Sequence, residues 1–116
     1  GFLRNVPRKR WALSIPYGAT DDKALYPDII IFRRIKTQVQ IDILEPHGDY
    51  LADALEKAQG LAKYAAKHSD RLGRIEMIRI VKDRIERLDL QDDKVRRRVL
   101  IATNPEQLKE LYAQFG

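Results

Sequence analysis

The segment from residue 28 to residue 44 constrains the fold of this chain more than any other. Asp28 to Ile35 is rich in β-branched and aromatic residues and predicts a largely buried strand. A polar turn at Lys36-Thr37 leads into Gln38 to Leu44, where the side chains alternate with period two. One face carries Val39, Ile41 and Ile43, and the other carries Gln38, Gln40, Asp42 and Leu44. The two segments together predict a hairpin.

The remaining pattern predicts strands and helices that pack around this hairpin. The order is strand, strand, strand, helix, strand, strand, helix, helix, which predicts an α/β (α+β) fold with a mixed sheet flanked by helices. The other predicted elements are a short strand over Arg10–Ile15, a helix over Tyr50–His68, strands over Arg74–Val81 and Ile85–Leu90, a helix capped by Asp92 or Asp93, and a last helix that begins near Pro105.

Breaks and termini set the predicted limits of these elements. Pro46 to Asp49 is predicted to end the second hairpin strand, with Asp49 as the N-cap of the following helix. Residues 1–9 are predicted to form a basic arm, and residues 10–116 a single domain. The chain starts without Met, so we expect it to be a fragment of a longer protein.

Composition narrows the class of partner. The 22 basic and 17 acidic residues give a net charge of +5, which favours an anionic partner, nucleic acid above all. Basic residues cluster at Arg8 to Arg10, at Arg33, Arg34 and Lys36, and at Arg96 to Arg98. Zero cysteines exclude a disulfide framework and a Cys-based zinc site. The absence of cysteine is also compatible with a reducing cytoplasm, where we expect the protein to be located. No apolar run approaches the roughly 20 residues that span a bilayer, so we expect no membrane contact.

Two carboxylates stand on the predicted hairpin strands. Asp28 and Asp42 at neighbouring strand ends have the oxygen ligands that Mg²⁺ or Mn²⁺ prefers, and a bound ion would activate water against a phosphodiester. The competing interpretation is an ion pair, in which Asp42 contacts Arg33 or Arg34 across the hairpin. Both interpretations remain open at the level of sequence.

The residues around these acids resemble a known superfamily. Tyr26-Pro27-Asp28-Ile29-Ile30, Asp42 to Gly48 and the helix start at Leu51-Ala52-Asp53-Ala54 are similar to PD-(D/E)xK nucleases. More narrowly, they resemble the C-terminal domain that follows the helicase motor in DEAD/DEAH-type, type III restriction subunit-like bacterial proteins. The resemblance covers Tyr26 to Leu90. It implies a restriction-endonuclease-like fold, Mg²⁺-dependent hydrolysis of DNA, and a helicase motor in the same longer chain, with Asp28 and Asp42 as metal ligands.

The chain departs from this pattern at one position. Where the superfamily has the Lys of (D/E)xK, this chain has Leu44, which cannot orient water or stabilise charge. Three residues are candidate substitutes: His47 as a base or ligand, Lys57 from the following helix, and Glu45 as a third carboxylate. Each also has an ordinary structural interpretation, such as a turn histidine or a lysine that extends to water.

Three functions are therefore in competition. The first is a metal-dependent nuclease domain with Asp28, Asp42, His47 and Lys57 as catalytic residues. The second is a catalytically inactive module of the same fold for DNA binding or docking, with Arg33, Arg34 and Lys36 as nucleic-acid contacts. The third is an oligomerisation module that uses Leu111, Tyr112 and Phe115 of the last helix.

Overall fold

The computed structural model describes residues 2–4, 14–18, 20, 23–27, 29–47, 53–70 and 72–116. Its strands are β1 Phe2–Arg4, β2 Ile15–Tyr17, β3 Lys23–Leu25, β4 Ile29–Ile35, β5 Gln38–His47, β6 Leu72–Val81 and β7 Arg84–Asp89. Its helices are α1 Ala54–His68, α2 Asp93–Ile101 and α3 Pro105–Phe115. None of these helices is long and apolar enough to cross a bilayer.

A five-stranded mixed sheet forms the centre of the fold, in the order β1-β4-β5-β6-β7. The pairs β1–β4, β4–β5 and β6–β7 are antiparallel, whereas β5 and β6 are parallel and are joined through α1. A parallel pair needs such a crossover, because its strands begin at the same end of the sheet. β2 and β3 form a separate two-stranded hairpin. The predicted mixed sheet with flanking helices is confirmed.

The hydrophobic core lies between one side of this sheet and the three helices. Ile43, Ile75 and Met77 on the sheet are fully buried in one cluster with apolar residues of α1, α2 and α3. We call this side of the sheet the helix face, and the other side the opposite face. α1 brings small residues to the core, and at Gly60 an added Cβ would lie 2.5 Å from Cβ of Tyr17 in β2. Gly60 therefore permits close packing of α1 against β2.

Polar residues build two of the hairpin turns and the caps of α2 and α3. Lys36, in the predicted turn, and Lys82 are the first residues of the β4–β5 and β6–β7 turns, and both have positive φ, at 57° and 52°. The Asp92 carboxylate accepts from the backbone N–H groups of Lys94 and Val95 and caps α2. The Asn104 side chain accepts from the N–H of Gln107 and caps α3, where Pro105 lies in the first turn.

Near the N-terminus, two local predictions are wrong and a third falls mostly outside the described residues. Residues 2–4, predicted as part of an irregular arm, form strand β1 at the edge of the sheet, paired with Ile29–Ile31 of β4. The β2–β3 hairpin pairs Ile15–Tyr17 with Lys23–Leu25, a region in which the sequence predicts no strand beyond Ile15. Both errors concern three-residue strands, which are too short to show periodicity. The strand predicted over Arg10–Ile15 falls mostly on residues 10–13, which lie outside the described residues.

The prediction that Pro46 ends the hairpin strand is wrong. β5 continues to His47, with Pro46 opposite Ile78 of the parallel strand β6. On the other side, the last pair with β4 joins Leu44 to Ile29, so β5 has only one paired neighbour at Pro46. Such an edge tolerates a residue without an N–H. α1 begins at Ala54 with Asp53 as its N-cap, whereas the predicted cap Asp49 lies outside the described residues.

Candidate functional site

Asp42 is the predicted metal ligand that the structure describes, and its carboxylate is already engaged. Its side chain is buried, with a relative exposure of 2%. Nε of Arg33 lies 2.8 Å from Oδ2, and Nη2 of Arg33 donates to Oδ1 at 3.0 Å. The backbone N–H of Arg74 also donates to Oδ1, at 2.8 Å. Both carboxylate oxygens are thus bound by a guanidinium in the bidentate geometry that gives strong pairs.

The sheet register explains why Arg33 reaches Asp42. Asp42 lies opposite Ile31 in the β4–β5 hairpin, and Arg33 is two residues further along β4 on the same face. Side chains at diagonal positions of an antiparallel pair are within reach of a long side chain. The same Nη2 of Arg33 also approaches Oε1 of Gln40, at 3.4 Å. The ion pair across the hairpin was one of the two interpretations of the sequence.

An irregularity in β6 completes the surroundings of Asp42. The β5–β6 register shifts between the pairs Ile41–Leu72 and Ile43–Ile75, and Gly73 and Arg74 lie in this shift. The displaced Arg74 N–H therefore points to the Asp42 side chain instead of to a strand partner. A Cβ at residue 73 would lie 2.2 Å from Oδ1 of Asp42 and 2.7 Å from Nη2 of Arg33. A larger residue at this position must therefore displace the carboxylate or the guanidinium, which fill the space.

This geometry fits an ion pair better than a metal ligand. The Arg33 guanidinium and the Arg74 N–H make three contacts with the Asp42 carboxylate, which leaves about one of its roughly four lone-pair sites for a divalent ion. Such an ion would also place two cations against one buried carboxylate unless Arg33 moved away. Asp28, the other predicted ligand, lies outside the described residues. The metal role of Asp28 and Asp42 therefore stays a prediction, and the described half of the pair does not favour it.

The candidate substitutes for the missing lysine lie on the other side of the sheet. Leu44 is on the opposite face with Asp42, whereas Glu45 and His47 are on the helix face, in register with Met77 and Arg79. Lys57 belongs to α1, which packs on the helix face, and its Nζ lies 3.2 Å from Oδ2 of Asp53 one helical turn earlier. The sheet thus separates Asp42 from His47 and from Lys57, so the three described members of the predicted catalytic set do not converge on one site.

His47 instead belongs to a polar cluster that the sequence did not predict. Its Nε2 lies 2.6 Å from the hydroxyl oxygen of Tyr112, which is 1% exposed. Arg79 lies over the Tyr112 ring, with Cζ 5.3 Å from the ring centroid, and its Nη2 pairs with Oε1 of Glu86 at 2.9 Å. Burial raises the pKa of Tyr112 above its ordinary value, and Glu86 acts in the same direction while Arg79 opposes it. We call these four residues the Tyr112 cluster.

Part of the Tyr112 cluster carried a signal in the sequence. Arg79 and Glu86 are directly opposite in the β6–β7 hairpin, so their pairing follows from the turn at Lys82-Asp83. The contribution of Tyr112 could not be derived from its place on an apolar helix face. Leu111 and Tyr112, proposed as oligomerisation anchors, are buried in the core of the chain itself, and Phe115 is partly exposed.

The predicted nucleic-acid contacts differ in whether a neighbouring acid neutralises their charge. The Arg33 guanidinium is neutralised by Asp42. Arg34 and Lys36 are exposed beside the β4–β5 turn, and neither has an ion-pair partner within the described part of the chain. In the third basic run, Arg96 contacts Asp93 and the carbonyl of Leu90, whereas Arg98 has no such contact among the described residues. The cluster Arg8 to Arg10 lies outside the described residues.

Comparisons with known proteins identify relatives of the chain but no solved fold. The model of the YagJ family matches residues 1–116. Protein YagJ of Escherichia coli (strain K12) is 39% identical over 98 residues, which cover 84% of this chain and 40% of that protein. The matched region therefore spans less than half of the relative. No solved structure matches the chain.

Proposed function

The chain belongs to the YagJ family, and we propose that it forms a non-catalytic nucleic-acid-binding module on a restriction-endonuclease-like framework. The observation that carries this proposal is the Arg33–Asp42 ion pair. The carboxylate with which the resemblance implies metal binding serves here to hold β4, β5 and the β6 irregularity together. A structural use explains why the acid is retained although the lysine position is Leu44.

The energetics favour the structural use of Asp42 over a metal site. Asp42 is buried, whereas the Arg33 side chain is 43% exposed, and removing one member of such a part-buried, hydrogen-bonded charge pair costs on the order of 1–3 kcal/mol. A metal ion that displaced Arg33 would have to offset this loss and the loss of the Arg74 N–H bond. Leu44 cannot supply the positive charge that would steady a phosphodiester in the transition state. His47 and Lys57, on the other side of the sheet from Asp42, cannot supply it there either.

Charge supports nucleic acid as the partner. The net charge is +5, and Arg34 and Lys36 present exposed cations beside one hairpin turn. Such side chains bind phosphates without reading sequence, so the expected binding is nonspecific and sensitive to salt. DNA as the nucleic acid, and a helicase motor elsewhere in a longer chain, rest on the resemblance to helicase-associated domains. In that arrangement the module would hold DNA for another domain.

A salt titration tests the binding proposal. Binding of fluorescein-labelled duplex DNA would be measured by anisotropy across a series of salt concentrations. Lys36→Ala and Arg34→Ala are each expected to weaken binding and to reduce the salt slope by about 1. Lys109→Ala is the matched control, because it removes an exposed lysine from α3, far from this turn in sequence. Equal affinity of Lys36→Ala and Lys109→Ala, or no binding at low salt, would refute the proposal.

A cleavage assay tests the non-catalytic part separately. Supercoiled plasmid would be incubated with the chain and Mg²⁺ or Mn²⁺, and nicking would be followed on gels. We expect no cleavage from the wild type or from Asp42→Asn. Metal-dependent cleavage that Asp42→Asn abolishes, in a variant that stays folded by circular dichroism, would instead establish the nuclease.

A further inference from the structure

One side of α2 combines cations with a large apolar side chain. Lys94, Arg97, Arg98 and Ile101 follow the spacing i, i+3, i+4, i+7 and therefore form one stripe along the helix. Val95 and Val99, on the other side of α2, are buried in the core. Ile101 is 72% exposed. The end of this stripe is thus not buried by packing among the described residues.

A groove lies beside this stripe, between α2 and the end of α3. It has a volume of about 580 Å³ and is lined by Lys94, Arg97, Arg98, Leu100, Ile101 and Phe115. A second depression of about 300 Å³ shares Arg98 and Ile101 and extends along α3 past Leu111 to Gln114. Leu100, Ile101 and Phe115 are all large apolar residues with substantial exposure. Together the two depressions form what we call the α2–α3 groove.

We propose that the α2–α3 groove docks an acidic amphipathic segment of a protein partner. Its apolar lining suits Leu or Phe side chains on one side of a helix, a common way for a groove to bind a peptide. Three cations and no acid are among the described residues that line the larger depression, whereas the smaller depression is lined by one cation, Arg98, and one acid, Glu110. Lys94 and Arg98 have no ion pair within the described part of the chain, so their charges are available to Asp or Glu of a partner.

Charge also argues against two other occupants. A second copy related by a twofold axis would place the same three cations against each other, and like charges across an interface oppose association. Duplex DNA would satisfy the cations, but its phosphates would leave Ile101 and Leu100 without an apolar partner. An acidic amphipathic segment satisfies both features of the groove at once. This proposal does not depend on nucleic-acid binding at Arg34 and Lys36.

Binding of designed peptides to the 116-residue chain tests the proposal. The probe is a fluorescein-labelled helical peptide of about 15 residues, with Leu and Phe on one face and Glu on the other. A scrambled peptide keeps its composition without the apolar face, and a basic twin replaces each Glu by Lys. We expect the acidic amphipathic peptide to bind at least about tenfold more tightly than either comparison peptide, as measured by anisotropy.

Substitutions inside and outside the α2–α3 groove test whether the peptide binds there. Ile101→Ser and the double variant Arg97→Glu/Arg98→Glu are each expected to weaken peptide binding by about tenfold. Lys109→Glu makes the same kind of charge reversal on α3 outside the groove and should leave binding unchanged, as should Lys36→Ala. Because these side chains are exposed, thermal unfolding should show that the variants stay folded. Amide chemical shifts that change on peptide addition should map to α2 and the end of α3.

Specific outcomes would overturn the proposal. Equal binding of the acidic peptide and its basic twin would exclude charge recognition, and unchanged binding in Ile101→Ser would exclude the apolar groove. Duplex DNA binding that is lost in Ile101→Ser, without any binding of the acidic peptide, would assign the groove to nucleic acid. Failure of the Lys36→Ala anisotropy test for DNA would refute the proposed function alone, since peptide binding uses different residues.

Discussion

The two faces of the sheet use buried polar groups in different ways. On the opposite face, Asp42 joins Arg33 of β4 to the backbone of Arg74 in β6. On the helix face, Tyr112 of α3 joins His47 of β5 and lies under Arg79 of β6. The first group holds strands to one another, whereas the second holds a helix to the strands. β5 contributes to both groups, because successive residues of a strand point to opposite faces.

This comparison shows why a motif on one strand is not automatically one site. Asp42 and His47 are five positions apart in the same strand, and an odd separation places their side chains on different faces. Asp42 has its charge balanced by Arg33 next to it, while the pKa of Tyr112 is governed mainly by burial. Substitutions in the two groups should therefore differ in size and in their response to pH.

Truncation in the Tyr112 cluster should have the largest effect. Tyr112→Ala removes a buried ring from the core and is expected to lower the free energy of unfolding by about 3–5 kcal/mol. Tyr112→Phe keeps the ring and loses only the hydrogen bond to His47, so a loss of about 1 kcal/mol is expected. Urea denaturation followed by circular dichroism measures both. Equal losses would mean that the hydroxyl, and not the packing of the ring, dominates this face.

Loss of the Asp42 carboxylate should have an intermediate effect. Asp42→Ala leaves the Arg33 guanidinium and the Arg74 N–H without their acceptor, and we expect a loss of about 1–3 kcal/mol in the free energy of unfolding. Asp83→Ala, at an exposed turn position, is the control and should change stability by less than about 0.5 kcal/mol. A neutral effect of Asp42→Ala in urea denaturation would contradict the structural role of this acid.

Crowding at Gly73 should disturb the opposite face specifically. Gly73→Ala places a methyl group against Asp42 and Arg33. Overpacking of this kind lowers the free energy of unfolding by about 1–3 kcal/mol. We expect a loss in the lower half of this range, because Arg33 can shift. The loss should be smaller when Arg33→Ala is already present, because part of the space is then free. Additive losses in the double variant would show that the strain lies elsewhere in the backbone.

The smallest expected effect is a loss of stability at alkaline pH that depends on Tyr112 of the helix face. The pKa of Tyr112 is raised in the folded chain, so its proton stabilises the fold below the ordinary tyrosine pKa of about 10. As the pH rises above this value, the unfolded state loses the proton first and stability falls. Tyr112→Phe should lose less stability than the wild type between about pH 9 and pH 11. Parallel pH profiles of the two proteins would contradict this assignment.

Much of the fold was available from local sequence patterns. The strand signal from Gln38 to Leu44, the polar turn at Lys36 and the capping residue Asp92 each act within a few residues, and all three elements appear in the structure. β1 was missed because three residues have no period, and its pairing with β4 is a tertiary contact. Proline usually ends a strand, which is why the sequence predicts a break at Pro46. The strand tolerates Pro46 because this residue lies beyond Leu44, the last residue of β5 that pairs with β4.

Less of the candidate site than of the fold could be predicted from the sequence. Pairing of Asp42 with Arg33 follows from the hairpin register and was one of the two sequence interpretations. The Arg74 N–H and the space left by Gly73 depend on a register shift between β5 and β6, which no local pattern encodes. Lys57 is a candidate because it lies on the helix that follows β5, but this helix packs on the helix face and Lys57 pairs with Asp53.

The coupling energy between Arg33 and Asp42 tests most directly whether Asp42 stabilises the sheet instead of binding a metal ion. A double-mutant cycle with Arg33→Ala and Asp42→Ala, measured by urea denaturation with and without Mg²⁺, isolates their interaction from other losses. We predict a coupling energy of about 1–2 kcal/mol that Mg²⁺ leaves unchanged. A coupling near zero, or one that Mg²⁺ abolishes, would show that Asp42 serves a metal ion instead of the sheet.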